Sequence, residues 1–427
     1  MSGAMVVATV IFAITWLLIS LPRVPFLRLD RTGVALLGAL GMVACGVLTL
    51  DAAYATINLD TIVLLFGMMV LIACLRSARF FEAVAATIVR RARTPRRFLI
   101  LLVFTAGLLS ALFVNDTICL LFTPIVLVAV RAAQLDPVPF LLALCTAANV
   151  GSAATLTGNP QNMLVGIFSG ISYGRFLAVQ LPIALAALAL LAALLLFLFR
   201  RRIPASWPAL PVAGRRVHRV LVRRLLLVAA AVLLLFLLPV ERLVPGLSAG
   251  QKLPLVALAG ALAALLVARR RPERVLRQVD FGLLVFFAAL FVVVGGFART
   301  GLLDRMHAAL APRFGSEVPR QVALFSGLTV AGSNLVSNVP FVLLARDWIA
   351  GFARPELMWM VLATASTFAG NLTVVGSVAN LIVLEQSRHV APIGFLAYLR
   401  VGVPVTLLTT TLAVVLLLLI ERFTPLL

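Results

Sequence analysis

Long apolar runs, separated by short polar segments, recur along the whole chain. The runs lie near residues 4–21, 33–50, 61–75, 98–130, 138–168, 177–199, 224–240, 253–268, 281–298, 320–350, 356–386 and 401–420. Most are long enough, as helices, to cross the roughly 30 Å hydrocarbon core of a bilayer. They are continuous rather than alternating in polarity, which favours helices over the strands of a barrel. The pattern predicts an all-α polytopic membrane protein.

Two of these runs are long enough to form two helical arms around a polar turn. Run 98–130 carries Asn115 and Asp116 near its centre, and run 320–350 carries a second polar stretch, over 333–340. Non-helical backbone at membrane depth is tolerated only where it is buried in protein or lines a wet cavity. Each run is therefore predicted to be a re-entrant hairpin with its turn in the polar stretch.

Two further runs, 138–168 and 356–386, carry helix breakers near their middle. Gly158 is a poor helix former, and Pro160 lacks the N–H that a helix interior needs. The second run has Gly376 at the matching place, without a proline. Unwinding frees backbone carbonyls and N–H groups, and the ends of half-helices carry partial charges that suit ions. Both runs are predicted to be helices broken at the midplane.

The same order of elements occurs twice along the chain. The stretch "FVNDTICLLFTPIVL" parallels "NLVSNVPFVLLA", and "LTGNPQNMLVG" parallels "VVGSVANLIVL". These pairings match Asn115 with Asn338, and Asn162 with Asn380. The predicted division is an N-terminal repeat over 1–199, an Arg-rich cytoplasmic linker over 200–224 and a C-terminal repeat over 225–427.

Each predicted repeat has about five transmembrane helices and one re-entrant hairpin. An odd number of crossings means that the two repeats insert in opposite orientations. Inverted repeats with broken helices at the midplane are typical of secondary transporters.

Composition agrees with a membrane protein. The chain is 63% hydrophobic and 12% charged, with a mean hydropathy of +1.13, which an ordinary soluble domain does not have. Its formal net charge of +21 comes mainly from arginines in short segments between the runs. We interpret this distribution as a topology signal rather than a nucleic-acid surface, so no nucleic-acid partner is expected.

The positive-inside rule also gives an orientation. Placing the Arg-rich segments 76–97, 200–224 and 269–278 in the cytoplasm puts the N-terminus and the C-terminus outside. The membrane we expect is the bacterial cytoplasmic (inner) membrane. Segment 299–320 is the exception, because its four arginines would then lie outside.

Asp116 is the most informative ionisable residue. A carboxyl at membrane depth is costly and indicates an ion or proton pathway, so we predict that Asp116 carries a proton or binds a cation. The alternative is that it caps the second hairpin arm. The other candidate binding residues lie at the hairpin tips and helix breaks, where packing between helices is the competing interpretation: Asn115, Thr117, Thr157, Gly158, Asn159, Asn162, Ser337, Asn338, Asn371, Gly376, Ser377 and Asn380.

We expect no metal site, no cofactor and no catalytic activity. The four cysteines fall within apolar runs at spacings that fit neither a zinc site nor a disulfide framework, and the three histidines lie in predicted loops. The sequence shows no nucleophile–base pair either.

These motifs resemble the ion-transporter superfamily, and within it the arsenite-permease/NhaD-type branch. The resemblance covers nearly the whole chain and rests on "FVNDTICLLFTPIVL", "GSAATLTGNPQNMLVG", "SNLVSNVPFVLL" and "GNLTVVGSVANLIVLE". It implies a scaffold domain, often dimeric, and a mobile domain that contains both hairpins and both broken helices. It also implies ion or substrate binding around the hairpin tips and the two breaks.

Members of this branch include metalloid exporters for arsenite and antimonite, silicic-acid exporters with a similar G-N-P-Q-N break, and Na⁺/H⁺ antiporters. Dicarboxylate and sulfate carriers of the superfamily typically show S-N-T at both hairpin tips. This sequence has N-D-T and S-N-V instead.

The function we predict is proton-coupled export of a small inorganic anion or metalloid hydroxy-acid, arsenite-like, by alternating access, with Asp116 as the proton carrier. The alternative is a Na⁺/H⁺ antiporter in which the same residues bind sodium, so the coupling ion is H⁺ or Na⁺. A sodium-coupled dicarboxylate or sulfate symporter and a passive anion channel are less favoured. The expected partners are a small inorganic solute, membrane lipid and, from the resemblance, a second copy of the chain.

Overall fold

The computed structural model describes residues 3–20, 29–206, 218–239 and 249–424. Within these residues the chain is built of helices joined by short turns, without a β-strand. Eight of the described helices are long and apolar enough to cross a membrane. The all-α polytopic architecture is confirmed.

The described part of the first half contains ten helices: α1 (Gly3–Ser20), α2 (Arg31–Ala44), α3 (Leu50–Thr56), α4 (Leu59–Ser77), α5 (Phe80–Arg91), α6 (Pro95–Leu112), α7 (Asn115–Ala132), α8 (Val138–Ser152), α9 (Pro160–Ser169) and α10 (Tyr173–Leu198).

The second half repeats this order, with two short 3₁₀ turns, Arg346–Gly351 and Val374–Gly376, added. Its described helices are α11 (Arg219–Leu237), α12 (Ala249–Ala268), α13 (Pro272–Leu276), α14 (Phe281–Ala298), α15 (Leu302–Phe314), α16 (Val318–Val336), α17 (Asn338–Ala345), α18 (Pro355–Ala369), α19 (Val378–Ser387) and α20 (Phe395–Phe423).

The two halves also exchange packing partners. Helix α2 packs along α14, and the equivalent α12 packs along α4. In the same way, α7 packs on α19 and α17 packs on α9. Exchange of this kind is expected when two copies of one unit are related by a pseudo-twofold axis. The opposite orientation of the copies in the membrane stays a prediction, as does the division at 200–224.

The predicted linker falls partly outside the described residues. Positions 207–217 are not described, and α11 already begins at Arg219, so the last part of the segment 200–224 is helical. The Arg-rich segments 76–97 and 299–320 each contain an amphipathic helix, α5 and α15.

The first hairpin turn lies two residues earlier than predicted. Helix α6 ends at Leu112 and the turn is Phe113–Val114, so Asn115 and Asp116 are the first two residues of α7. Val114 occupies the N-cap position, so Asp116 does not cap this helix.

The second hairpin turn is narrower than predicted. A single residue, Ser337, separates α16 from α17, so most of the stretch 333–340 is helical. Asn, Asp and Pro are favoured both in turns and in the first turn of a helix, and this shared preference explains both errors.

Both predicted helix breaks are present. The first leaves residues 153–159 non-helical between α8 and α9, and the second leaves 370–377 between α18 and α19 with only a 3₁₀ turn. Pro160 is the first residue of α9, where the missing N–H costs no helical hydrogen bond. It therefore starts the second half-helix, while the residues before it form the break.

Candidate functional site

The first hairpin tip is bonded to the first helix break. The backbone N–H of Asn115 donates to the carbonyl of Gly158 at 3.0 Å. A Cβ added at Gly158 would lie 2.1 Å from the carbonyl oxygen of Ser152, so the close approach of these two backbone segments requires glycine. The tip and the break therefore form one unit at the centre of the molecule.

Asn162 and Asn380 make equivalent bonds across the two breaks. The Asn162 amide donates to the carbonyls of Ser152 and Thr155, at 3.3 and 2.9 Å. The Asn380 amide donates to the carbonyls of Gly370 and Thr373, at 2.7 and 3.1 Å. One offset, 218 residues, relates all three positions in the two halves. These asparagines satisfy carbonyls that the unwinding leaves free, which a buried backbone requires.

A second pair of bonds crosses between the halves at the same offset. Asn149 in α8 donates to the side-chain oxygen of Asn380 at 3.1 Å, and Thr367 in α18 donates to that of Asn162 at 3.4 Å. The first half-helix of each repeat, α8 or α18, is therefore hydrogen-bonded to the second half-helix of the other repeat, α19 or α9.

Asn149 is the most connected of these residues. Its oxygen accepts from Asn115 at 3.0 Å and from Ser377 at 2.9 Å. Its amide also donates to Asn371 at 2.9 Å. The first hairpin and the second break are thus joined through one buried side chain.

Two predicted site residues support the first break instead of lining the cavity. Asn159 caps α9 by accepting from the N–H of Asn162, and its amide donates to Ser152 and Thr367. Thr157 is hydrogen-bonded to the hydroxyl of Tyr173 at 3.1 Å. Both side chains are fully buried, as is Asn371 in the second break.

A cavity of about 70 Å³ lies where the hairpin tips meet the breaks and helices α1, α2 and α14. Six of the predicted site residues line it: Asn115, Asp116, Ser337, Asn338, Gly376 and Ser377. The other seven lie outside the lining: Thr117, Thr157, Gly158, Asn159, Asn162, Asn371 and Asn380.

The hairpin asparagines leave two acceptors unused inside this site. The side-chain oxygens of Asn115 and Asn338 are buried, and neither accepts a hydrogen bond from the described residues. A buried acceptor without a donor costs about 1–3 kcal/mol. Two such acceptors, at equivalent positions of the two hairpins, belong to residues that line the cavity.

Ser337 places the second tip in the cavity through a strained backbone. Its φ of 66° lies in the left-handed region that residues other than glycine rarely adopt. Such outliers persist where the surroundings enforce them, often at binding sites.

Asp116 lies in the first turn of α7 and is half-buried. The backbone N–H of Ala379, which donates to the Ser377 hydroxyl at 3.2 Å, lies near its carboxylate, and the charges that act on it are Arg31 and Asp280. Asp280 itself caps α14 by accepting from the N–H of Leu283 at 3.0 Å. Asp116 is therefore the acidic residue of the cavity lining, and its carboxyl does not cap a helix.

Four contributors to the site were not predicted: Asn149, Thr367, Asn334 and Arg31. Asn149 and Thr367 interrupt apolar helices, which was the available signal, whereas their partners in the other half of the chain are more than 200 residues away. Asn334 holds the second break by donating to the carbonyl of Ala369 at 2.9 Å. Arg31 lies just before the apolar run 33–50, where an arginine at the end of a membrane span is ordinary.

The comparisons with known proteins agree on a transporter. The family described as "Citrate transporter" (CitMHS) matches residues 9–369. The silicon efflux transporter LSI3 of Oryza sativa subsp. japonica is 33% identical, over 96% of this chain and 96% of its own length. An uncharacterised transporter of Mycobacterium tuberculosis is 33% identical over 96% and 97%. The putative transporter arsB of Dictyostelium discoideum is 26% identical over 93% and 88%.

A solved structure has the same fold. The YdaH transporter of Alcanivorax borkumensis, described as having an unusual topology, superposes with a TM-score of 0.58 at 16% identity. The superposition covers 99% of this chain and 98% of that one.

The fold and these relatives define a polytopic membrane transporter. The chain belongs to the CitMHS family of the ion-transporter superfamily. The resemblance to arsenite-permease-like metalloid transporters is confirmed by the silicon efflux and arsB relatives.

Proposed function

We propose that this protein exports a small inorganic hydroxy-acid, of the arsenous or silicic acid type, in exchange for protons. The observation that carries the proposal is the pair of unused amide oxygens, on Asn115 and Asn338, in one cavity with Asp116. A hydroxy-acid offers several O–H groups around one centre, which suits a site rich in acceptors.

The size of the cavity supports a small solute. A volume of about 70 Å³ corresponds to roughly five water-sized particles. A compact acid with one central atom fits this space, whereas citrate, the substrate in the family's description, is considerably larger. The name of the silicon efflux relative points in the same direction.

Proton exchange follows from competition at one carboxylate. Deprotonated Asp116 can accept an O–H of the solute, and protonated Asp116 cannot accept in the same way. Solute and proton then bind to the site alternately. The site moves to one side of the membrane with the solute bound and returns with the proton bound. The moving part is both hairpins with both broken helices, which are joined by the bonds of Asn149, Asn162 and Asn334 described above.

The runner-up is a Na⁺/H⁺ antiporter. Its supporting observation is the same set of oxygens, because amide and carboxylate oxygens are also ligands for hard cations.

Flux measurements in proteoliposomes separate the two functions. With an inwardly directed proton gradient, we expect efflux of arsenous or silicic acid to be accelerated, with no requirement for sodium. Asp116→Asn should remove this acceleration. The matched control is Asp51→Asn, which changes an exposed carboxyl in the first turn of α3 and should behave as wild type. Sodium flux without hydroxy-acid flux would reject the proposal in favour of the runner-up.

A further inference from the structure

Arg31 adds a guanidinium to the lining of the cavity. Among the described residues that line the cavity it is the only cation, and it comes from α2, which packs mainly along α14 and α1. The rest of this wall is largely apolar: Trp16, Ile19, Leu283, Phe286 and Phe287.

The position of Arg31 is not explained by the helix that carries it. Arg31 is the first residue of α2, where the positive end of the helix dipole disfavours a cation. The start of α2 is secured by Asp30, whose side chain accepts from the N–H of Gly33 at 2.8 Å. Arg31 is therefore not needed to begin the helix.

Arg31 and Asp116 interact electrostatically across the cavity without a direct ion pair in the described structure. The other groups that face Asp116 are Asp280 at the start of α14, the N–H of Ala379 in α19 and the thiol of Cys119 in α7 itself. Arg31 is the only positive charge in this set. The two opposite charges thus lie on opposite walls, with space between them.

The cavity therefore presents acceptors on one wall and donors on the other. The hairpin wall carries the carboxylate of Asp116, with the buried, unbonded side-chain oxygens of Asn115 and Asn338 beside it, and the opposite wall carries the guanidinium of Arg31 with its several N–H groups. A sodium ion fits the first wall but is repelled by the second. A polyanion fits the second wall but is repelled by Asp116.

We propose that Arg31 binds the substrate directly, and that the substrate is a neutral, amphiprotic hydroxy-acid that bridges the two walls. Its O–H groups donate to Asp116 and the hairpin amide oxygens, and one of its oxygens accepts from Arg31. This inference rests on the proposed function and specifies the charge and bonding of its substrate.

The test is binding of arsenous acid and of silicic acid to purified full-length protein, measured by isothermal titration near neutral pH, with efflux from proteoliposomes as a second readout. Loss of a charged donor should weaken binding by roughly ten- to a hundredfold in Arg31→Gln. Arg31→Lys keeps the charge without the planar fork, so a smaller loss is expected. The control is Arg97→Gln, an exposed arginine in the first turn of α6, which should bind as wild type.

Three outcomes would overturn the inference. Wild-type affinity in Arg31→Gln shows that Arg31 does not touch the substrate. Sodium binding that tightens in Arg31→Gln shows that Arg31 repels a cation substrate instead. Equal losses in Arg31→Lys and Arg31→Gln, with a lowered thermal midpoint in both, assign Arg31 to folding. If the wild type neither binds nor moves a hydroxy-acid, the proposed function itself fails, and this result is distinct from the first.

Discussion

Side chains from α7 and from the second helix break converge on the amide of Asn149. Each of its two polar atoms makes two hydrogen bonds, to Asn115, Ser377, Asn371 and Asn380. Two of these partners, Asn115 and Ser377, also line the cavity. Asn149 does not line the cavity itself, but its hydrogen bonds fix the positions of two residues that do.

Asn149→Ala is expected to lower both stability and transport. The change leaves four buried polar groups without their partner, and we expect a loss of about 1–3 kcal/mol in the free energy of unfolding. The thermal midpoint of the detergent-solubilised protein measures this loss, and efflux from proteoliposomes should fall with it. Gln278→Ala, which removes an exposed amide bonded to Ser77, serves as the control. Equal thermal midpoints for Asn149→Ala and the control would contradict this role.

At the scale of single residues, the sequence identifies the polar positions but not always their task. Asp116 and Asn115 stand out because a polar group in an apolar run is costly, and both line the cavity. Asn162 and Asn380 stand out for the same reason, yet they bond to freed carbonyls outside the cavity lining. Burial cost marks both kinds of residue, and only the three-dimensional arrangement separates them.

At the scale of elements, the two broken helices are similar but not equally tight. A Cβ at Gly158 would meet backbone, the carbonyl oxygen of Ser152, at 2.1 Å. A Cβ at Gly376 would first meet a side-chain oxygen, that of Asn334, at 2.8 Å. Side chains move more easily than backbone, so the first break tolerates substitution less well.

Gly158→Ala should therefore be more harmful than Gly376→Ala. Forced movement of the first break displaces the carbonyl that bonds to Asn115, at a cost of about 1–3 kcal/mol, and Gly376→Ala should cost less. Thermal midpoints of the two variants compare these costs. Gly327→Ala is the control, because nothing lies within 4 Å of the added carbon and alanine favours the helix. A larger loss in Gly376→Ala than in Gly158→Ala would contradict the comparison.

The elements themselves were largely predictable from the sequence. Glycine and proline restrict the backbone locally, so the breaks in 138–168 and 356–386 were placed correctly. The first hairpin turn was predicted two residues too late and the second too wide, because asparagine and proline favour turns and helix starts alike. The packing of α2 on α14 and of α4 on α12 depends on contacts between the halves, which no local pattern encodes.

At the scale of the whole molecule, the two halves share one order of elements. The offset of 218 residues that relates Asn162 to Asn380 also relates their carbonyl partners, Ser152 to Gly370 and Thr155 to Thr373. This agreement of bonds supports the alignment of the two halves that the sequence predicted.

Cysteine labelling from each side of the membrane tests the inverted orientation. Arg93 follows α5 and Ser316 follows α15, and both are exposed at equivalent places in the two halves. Cys45 is exposed whereas the other three cysteines are buried, so the labelling uses a Cys45→Ser background. In it, we expect Arg93→Cys to react only from the cytoplasmic side and Ser316→Cys only from the outside. Labelling of both from one side would show that the repeats are parallel.

In the proposed mechanism, Asp116 exchanges a proton for a small hydroxy-acid in the cavity between the hairpin tips. Proteoliposomes with equal pH and no sodium on either side, loaded with arsenous or silicic acid, test this exchange. As the acid flows out, we expect protons to move inward and acidify the lumen, and Asp116→Asn to abolish this pH change. Acid efflux from wild-type protein with no change in luminal pH would contradict this mechanism.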